Sequence, residues 1–169
     1  MAARQLRVYA CFEFDRNAEA SMRKLRTDMD PLAVLGEIHC LEAIYPGFGE
    51  WYLQKVVPGI AKGTRLLIAD VTDGEVSGVA IAKRDIGELK LCTVWRNERI
   101  GRYEVSTRLV RAAMSWLGTD RPVFTVPSDR IDRMRPLMNA VGVGAGVGLG
   151  DIYREGVDEL LFNATGMQQ

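Results

Sequence analysis

The sequence has one histidine, three cysteines and no surplus of either charge, with 22 Lys plus Arg against 22 Asp plus Glu in 169 residues. Each scarcity excludes something. A single histidine, His39, cannot build a metal site alone, and no neighbouring carboxylate pair has ligand spacing. Cys11, Cys40 and Cys92 form no CxxC pair and are too scattered for a disulfide framework. Their neighbours are apolar, which predicts small buried hydrophobes in a reducing, cytoplasmic setting. Balanced charge removes any global electrostatic footprint for nucleic acid or an anionic membrane surface. No apolar run reaches the length of a bilayer span, and the two arginines of the first six residues lead into no secretory h-region. What remains is an ordinary globular composition, 47% hydrophobic and 26% charged. It fits one domain over residues 1–169.

Periodicity predicts alternating strands and helices. Residues 6–12 alternate as a strand, and 16–26 are polar and helix-compatible. Asp30-Pro31 reads as an N-cap with proline at N1, opening a helix through Leu32, Leu35, Ile38 and Leu41. Tyr45-Pro46-Gly47 breaks it, and a second helix carries Trp51, Leu53, Val56 and Val57. Three strands follow at 64–71, 75–83 and 89–95, the first two joined by the Asp73-Gly74 turn signal. Val105, Leu109, Ala112, Ala113 and Trp116 recur at helical spacing up to Gly118. A short strand at 123–126, a helix at 131–141 and a strand at 160–162 complete a mixed α/β order.

Several features invite chemistry. The alternating glycines from Gly142 to Gly150 lack the GxGxxG spacing and follow a helix instead of a strand, so a flexible connection is expected and not a dinucleotide site. His39 lies one turn from Leu35 and reads as a packed or surface residue. Cys40 has no second histidine to activate it. The aromatic group Tyr45, Phe48, Trp51 and Tyr52 reads as core, with a cleft wall as the alternative. At 95–108 a strand runs through an arginine-studded loop into a helix N-terminus. Free amides, the positive dipole end and guanidinium forks make that a phosphate-binding arrangement, against the plainer reading of solvated arginines.

Residues 45–163 resemble the GNAT superfamily of acyl-CoA-dependent N-acetyltransferases. The similar segments are Tyr45-Pro46 with Trp51, Lys55-Val56-Val57-Pro58-Gly59 and Gly63-Thr64-Arg65. They continue with Gly74-Glu75-Val76-Ser77-Gly78-Val79-Ala80, Lys90-Leu91-Cys92-Thr93-Val94, Leu109, Leu117-Gly118-Thr119-Asp120-Arg121-Pro122, Thr125-Val126-Pro127 and Tyr153. Residues 1–40 match poorly. The resemblance implies an α/β fold of the α+β type, with a mixed, mostly antiparallel sheet flanked by helices and splayed between its fourth and fifth strands. It implies acetyl-CoA as co-substrate with no metal, an amine acceptor that the sequence leaves unidentified, and room for a homodimer.

In that family the loop after the fourth strand reads Arg/Gln-x-x-Gly-x-Gly/Ala. Counted back from Leu109, the positions here are Gly101, Arg102, Tyr103, Glu104, Val105 and Ser106. The arginine position is Gly101, the first glycine is Glu104, and Arg102 is the replacement cation, flanked by Arg99. The resemblance therefore assigns the coenzyme to Val94, Arg96, Gly101, Arg102, Tyr103, Ser106 and Thr107, with Arg108 expected in solvent. It assigns no catalytic residue. The acid position is Ala140, with Val143 in place of a phenylalanine. Glu88 or a water is the candidate base, and the Val94 N–H the candidate oxyanion donor. A non-catalytic GNAT-like binding or regulatory module is the alternative, favoured by Gly101, Glu104 and Ala140.

Overall fold

Aspartate, proline and glycine set the ends of the helices. The computed structural model describes residues 23–164. In α1 (Pro31–Ile38), the Asp30 carboxylate accepts from the Leu32 N–H at 3.0 Å and Pro31 stands in the first turn, which satisfies one orphan donor and leaves no lost one. A 3₁₀ turn, His39–Ala43, continues it. Next come α2 (Phe48–Trp51), a π-turn at Tyr52–Val56 and α3 (Val57–Ala61), a nearly continuous helical stretch. The longest helix among the described residues, α4 (Tyr103–Leu117), ends at Gly118, whose φ of 72° lets its N–H return to the Met114 carbonyl as a left-handed cap.

Four strands form an antiparallel sheet in the order β1 (Arg23–Arg26), β2 (Arg65–Thr72), β3 (Glu75–Asp85) and β4 (Glu88–Arg96). Three more, β5 (Phe124–Pro127), β6 (Val147–Gly148) and β7 (Glu159–Phe162), form an antiparallel sheet in the order β5-β7-β6. Between β5 and β6 lie the 3₁₀ turn Ser128–Arg130 and α5 (Ile131–Val141). β3 is buried on both faces, so its Val79-Ala80-Ile81-Ala82 run is continuously apolar instead of alternating. Ala80 and Ala82 join the core under α4 and α5, while Val79 and Ile81 join the core under α1–α3. The sheet is the shared wall of two cores. Glycine at 78 lets α4 approach it, since a Cβ there would stand 2.6 Å from Val105 Cγ1 and 2.8 Å from Leu109 Cδ1.

Four expectations are corrected. Residues 23–26 are strand, not helix, because Leu25 pairs with Asp70 of β2 and packs on the α4 core; the remainder of 16–22, the 6–12 strand and Cys11 lie outside the described residues. Cys40 is exposed, since the 3₁₀ turn after α1 points Leu41 inward in its place, and Cys92 on β4 is only partly buried against the core under α1–α3. The glycine run is not merely a flexible connection. Val147 and Gly148 pair with Leu161 and Leu160, and Gly146 sits so close to the Phe162 ring that a Cβ would meet it at 2.6 Å. Arg108 is not in free solvent, for the reason given below.

Candidate functional site at a split in the sheet

The two sheets meet at one point. The Leu91 N–H donates to the Val123 carbonyl at 2.9 Å and the Val123 N–H to the Leu89 carbonyl at 2.8 Å, a single parallel bridge at residues 90 and 123. Beyond it β5 pairs with β7 and β4 with β3, so β4 and β5 part toward their C-terminal ends. A bulge assists the parting. Ile81 faces Thr93 and Ala82 faces Leu91, leaving Cys92 as the extra residue, which bends and twists the strand. The Asn97 N–H donates to the Ser77 carbonyl of β3. Alternation back from Asn97 puts Trp95 and Thr93 on that ladder and turns the N–H groups of Val94 and Arg96 toward the opening.

At the open end, residues 97–102 lead into α4. The Gly101 N–H is bonded to the Asn97 carbonyl at 2.7 Å, and Arg96 Nη1 donates to the Gly101 carbonyl at 3.4 Å. A Cβ on Gly101 would stand 2.5 Å from the Ser77 carbonyl oxygen, so glycine is required by packing on β3. Arg99 is held by Glu75 at 2.7 Å and Glu98 by Arg133 at 3.3 Å. Arg102 occupies the N-cap without a capping hydrogen bond and has no ion pair among the described residues. Tyr103 and Glu104 are exposed in the first turn, and Ser106 and Thr107 are half-buried one turn further on. The expected coenzyme residues thus gather at one mouth, with Arg102 the uncommitted cation and Glu104 an anion beside it.

Arg108 points the other way. Its Nη1 lies 3.3 Å from Oδ2 of Asp70, which is fully buried on β2. The other oxygen of Asp70 accepts from the Ser77 hydroxyl at 2.7 Å. Burial of a carboxylate explains the recruitment of arginine. Glu88, the candidate base, is ion-paired with Lys83, which holds its carboxyl below the usual range. Ala140 is exposed on α5. His39 is exposed with Nδ1 2.6 Å from the Gly36 carbonyl.

Across the split lies a group that the sequence reading missed. Glu159 of β7 is 1% exposed, and its Oε2 has no hydrogen-bond partner. Burial pushes its carboxyl up, opposed by the Thr125 hydroxyl and by Arg154. Arg154 pairs instead with Asp129 at 2.8 Å, which holds the Asp129 carboxyl below the usual range and leaves Arg154 Nε buried and unbonded. Tyr45, from the turn before α2, meets Tyr153 edge to face at 5.5 Å. Burial, then the Glu159 charge, pushes the Tyr45 phenol up. The signal was legible in principle: Phe162 and Leu160 fix one face of β7, and alternation sends Glu159 to the other with Leu161. No group of three or more metal-ligating side chains exists among the described residues, and no helix there is long and apolar enough to cross a membrane. A shallow depression of about 560 Å³ lies at the far end of α4, around Met114 and Gly118.

No protein-family model and no curated protein sequence matches the chain. Solved structures do. A Desulfovibrio desulfuricans protein assigned to the GNAT family of acetyltransferases superposes with a TM-score of 0.66 at 14% identity, over 83% of this chain and 95% of its own. The fold is the GNAT fold. The ribosomal-protein-alanine N-acetyltransferase of Brucella melitensis gives 0.65 at 15% identity over 82% and 97% of the two chains. A Salmonella typhimurium protein assigned as an acetyltransferase, solved with its cofactor acetyl-CoA, gives 0.63 at 13% over 83% and 91%. In this GNAT fold the parting of β4 from β5 is the splay expected between the fourth and fifth strands.

Proposed function

We propose that the chain is an acetyl-CoA-dependent N-acetyltransferase whose coenzyme lies in the split between β4 and β5. The observation that carries this is the open edge of β4: after the Cys92 bulge, the N–H groups of Val94 and Arg96 turn away from β3 toward the opening. They can bond an extended amide-bearing arm as a further strand would. The mouth of that opening is the uncapped start of α4, where free amides, the dipole and Arg102 favour a pyrophosphate. The Val94 N–H would then polarise the thioester carbonyl and stabilise the oxyanion as the amine attacks.

One observation favours the second reading, a non-catalytic GNAT-like module. Glu104 puts a carboxylate in the first turn of α4, and the Gly101 N–H is already bonded. Thermal stability with CoA, acetyl-CoA and acetyl-pantetheine decides between them. The acetyltransferase reading predicts stabilisation that grows with acetyl-CoA concentration. It further predicts that Arg102→Ala weakens acetyl-CoA about ten-fold, as one lost charge-assisted bond requires, and acetyl-pantetheine hardly at all. No stabilisation by any of the three leaves the module.

A further inference from the structure

We propose that Glu159 receives the proton of a cationic primary amine, with Tyr45 and Tyr153 walling the entrance, so that the acceptor site lies on the β5–β7 side of the split. This rests on the acetyltransferase reading and adds the acceptor's chemistry and its proton acceptor. Three observations converge. A carboxyl 1% exposed has an oxygen with no partner, which native structures rarely tolerate. The adjacent cation does not supply one, because Arg154 is drawn to Asp129. Glu159 pairs in register with Pro127, at the C-terminal end of β5, the strand that borders the split, and its face carries Thr125 and Leu161.

An ammonium group supplies what Glu159 Oε2 lacks, namely a donor with positive charge. The rings of Tyr45 and Tyr153 suit a cation in transit. Around Glu159 stand the ring pair, with Tyr45 half-buried and Tyr153 exposed, and the partly exposed Arg154–Asp129 bridge, which is weak enough for a ligand to displace. The charged and titratable groups around the carboxyl are Tyr45 before α2, Asp129 and Arg130 after β5, and Tyr153, Arg154 and Asp158 before β7. Burial nevertheless dominates and holds the Glu159 carboxyl above its ordinary value.

The chemistry balances. The ammonium gives one proton to the Glu159 carboxylate. The freed lone pair attacks the thioester carbonyl carbon, the C–S bond breaks with its electrons going to sulfur, and the thiolate takes the second amine proton. The products are the amide and a free thiol, and Glu159 returns its proton to water.

The test uses phenethylamine and spermidine as probes, thiol release as the readout and acetyl-CoA affinity in parallel. Wild type should acetylate at least one amine, with kcat/KM falling as pH drops through the Glu159 value. Glu159→Gln should lower kcat/KM by about 100-fold or more, abolish that acid limb and leave acetyl-CoA affinity within about two-fold. An unchanged kcat/KM or a surviving limb overturns the proposal, as does acetyl-CoA binding with neither amine turned over. If acetyl-CoA does not bind at all, the acetyltransferase reading fails. The ammonium site is then judged separately: phenethylammonium must stabilise wild type and not Glu159→Gln, and failure of that difference removes the site.

Discussion

Among the described residues each of the two sheets buries one carboxylate, and the surroundings of the two differ. Asp70 on β2 has a Ser77 hydroxyl at 2.7 Å on one oxygen and the Arg108 guanidinium at 3.3 Å from the other. Neither Asp70 Oδ2 nor Glu159 Oε2 accepts a hydrogen bond, but Asp70 has a guanidinium beside that oxygen, while the arginine near Glu159 is held by Asp129. The Asp70–Arg108 ion pair joins β2 to α4 and holds the helix on the sheet. An unanswered carboxyl destabilises the fold, and persists where the rest of the structure over-determines it. The contrast separates a buried carboxylate answered by a cation from one that is not.

The sharpest way to break the contrast is to make Asp70 resemble Glu159. Arg108→Ala leaves a fully buried carboxylate without its cation. Breaking such a pair costs about 3–5 kcal/mol when both members are buried, and with Arg108 partly exposed we expect about 2–3 kcal/mol by denaturant unfolding. Arg133→Ala, which cuts an exposed pair, should stay within about 0.5 kcal/mol. Equal losses would mean that Asp70 does not depend on Arg108.

Next in size is Gly78→Ala, which forces a methyl between β3 and α4 and should cost about 1–3 kcal/mol by overpacking. This holds the charges constant while moving the helix, so it separates the seat of α4 from the ion pair that anchors it.

Glu159→Gln should act in the opposite direction. The folded-state value is raised above the unfolded one, so folding is favoured by the neutral form. No penalty exists below the ordinary carboxyl range, and it grows as pH rises through the folded value. The variant should gain about 1–2 kcal/mol at pH 8, the scale of one unsatisfied buried group, and nothing at pH 4. A loss at pH 8 would show that Glu159 has a partner and is structural like Asp70.

The smallest effect is expected at Glu104. Its carboxylate favours the helix dipole but opposes a pyrophosphate, so Glu104→Gly should destabilise the fold by about 1 kcal/mol. It should tighten CoA about ten-fold by calorimetry, one decade being 1.4 kcal/mol.

The β4 side was legible in the sequence because its signals are local. Asp30-Pro31, Asp73-Gly74 and Gly118 each fix a turn by their own conformational chemistry, and the apolar period of α4 marks its face. On the β5–β7 side only alternation was legible, which sets Glu159 on the face opposite Phe162 and says nothing of its surroundings. Glu159 gains its character from Thr125 and Asp129, brought to it by the β5–β7 pairing, and from Tyr45 in the distant turn before α2. Arg108 was misread for the same reason, since nothing near it in the chain announces Asp70. The Cys92 bulge was equally silent, because a bulge is a mismatch between two strands and neither strand alone records it.

Amide hydrogen exchange with and without saturating acetyl-CoA tests the account most directly. The Val94 and Arg96 amides turn toward the opening, so they should exchange fast alone and be protected by the coenzyme. The amides of Tyr103 and Glu104 should follow them, while Ser77 and its neighbours on β3 stay unchanged. Protection confined to other strands, or none at Val94 and Arg96 in a protein that binds acetyl-CoA, would contradict the placement of the coenzyme in the split.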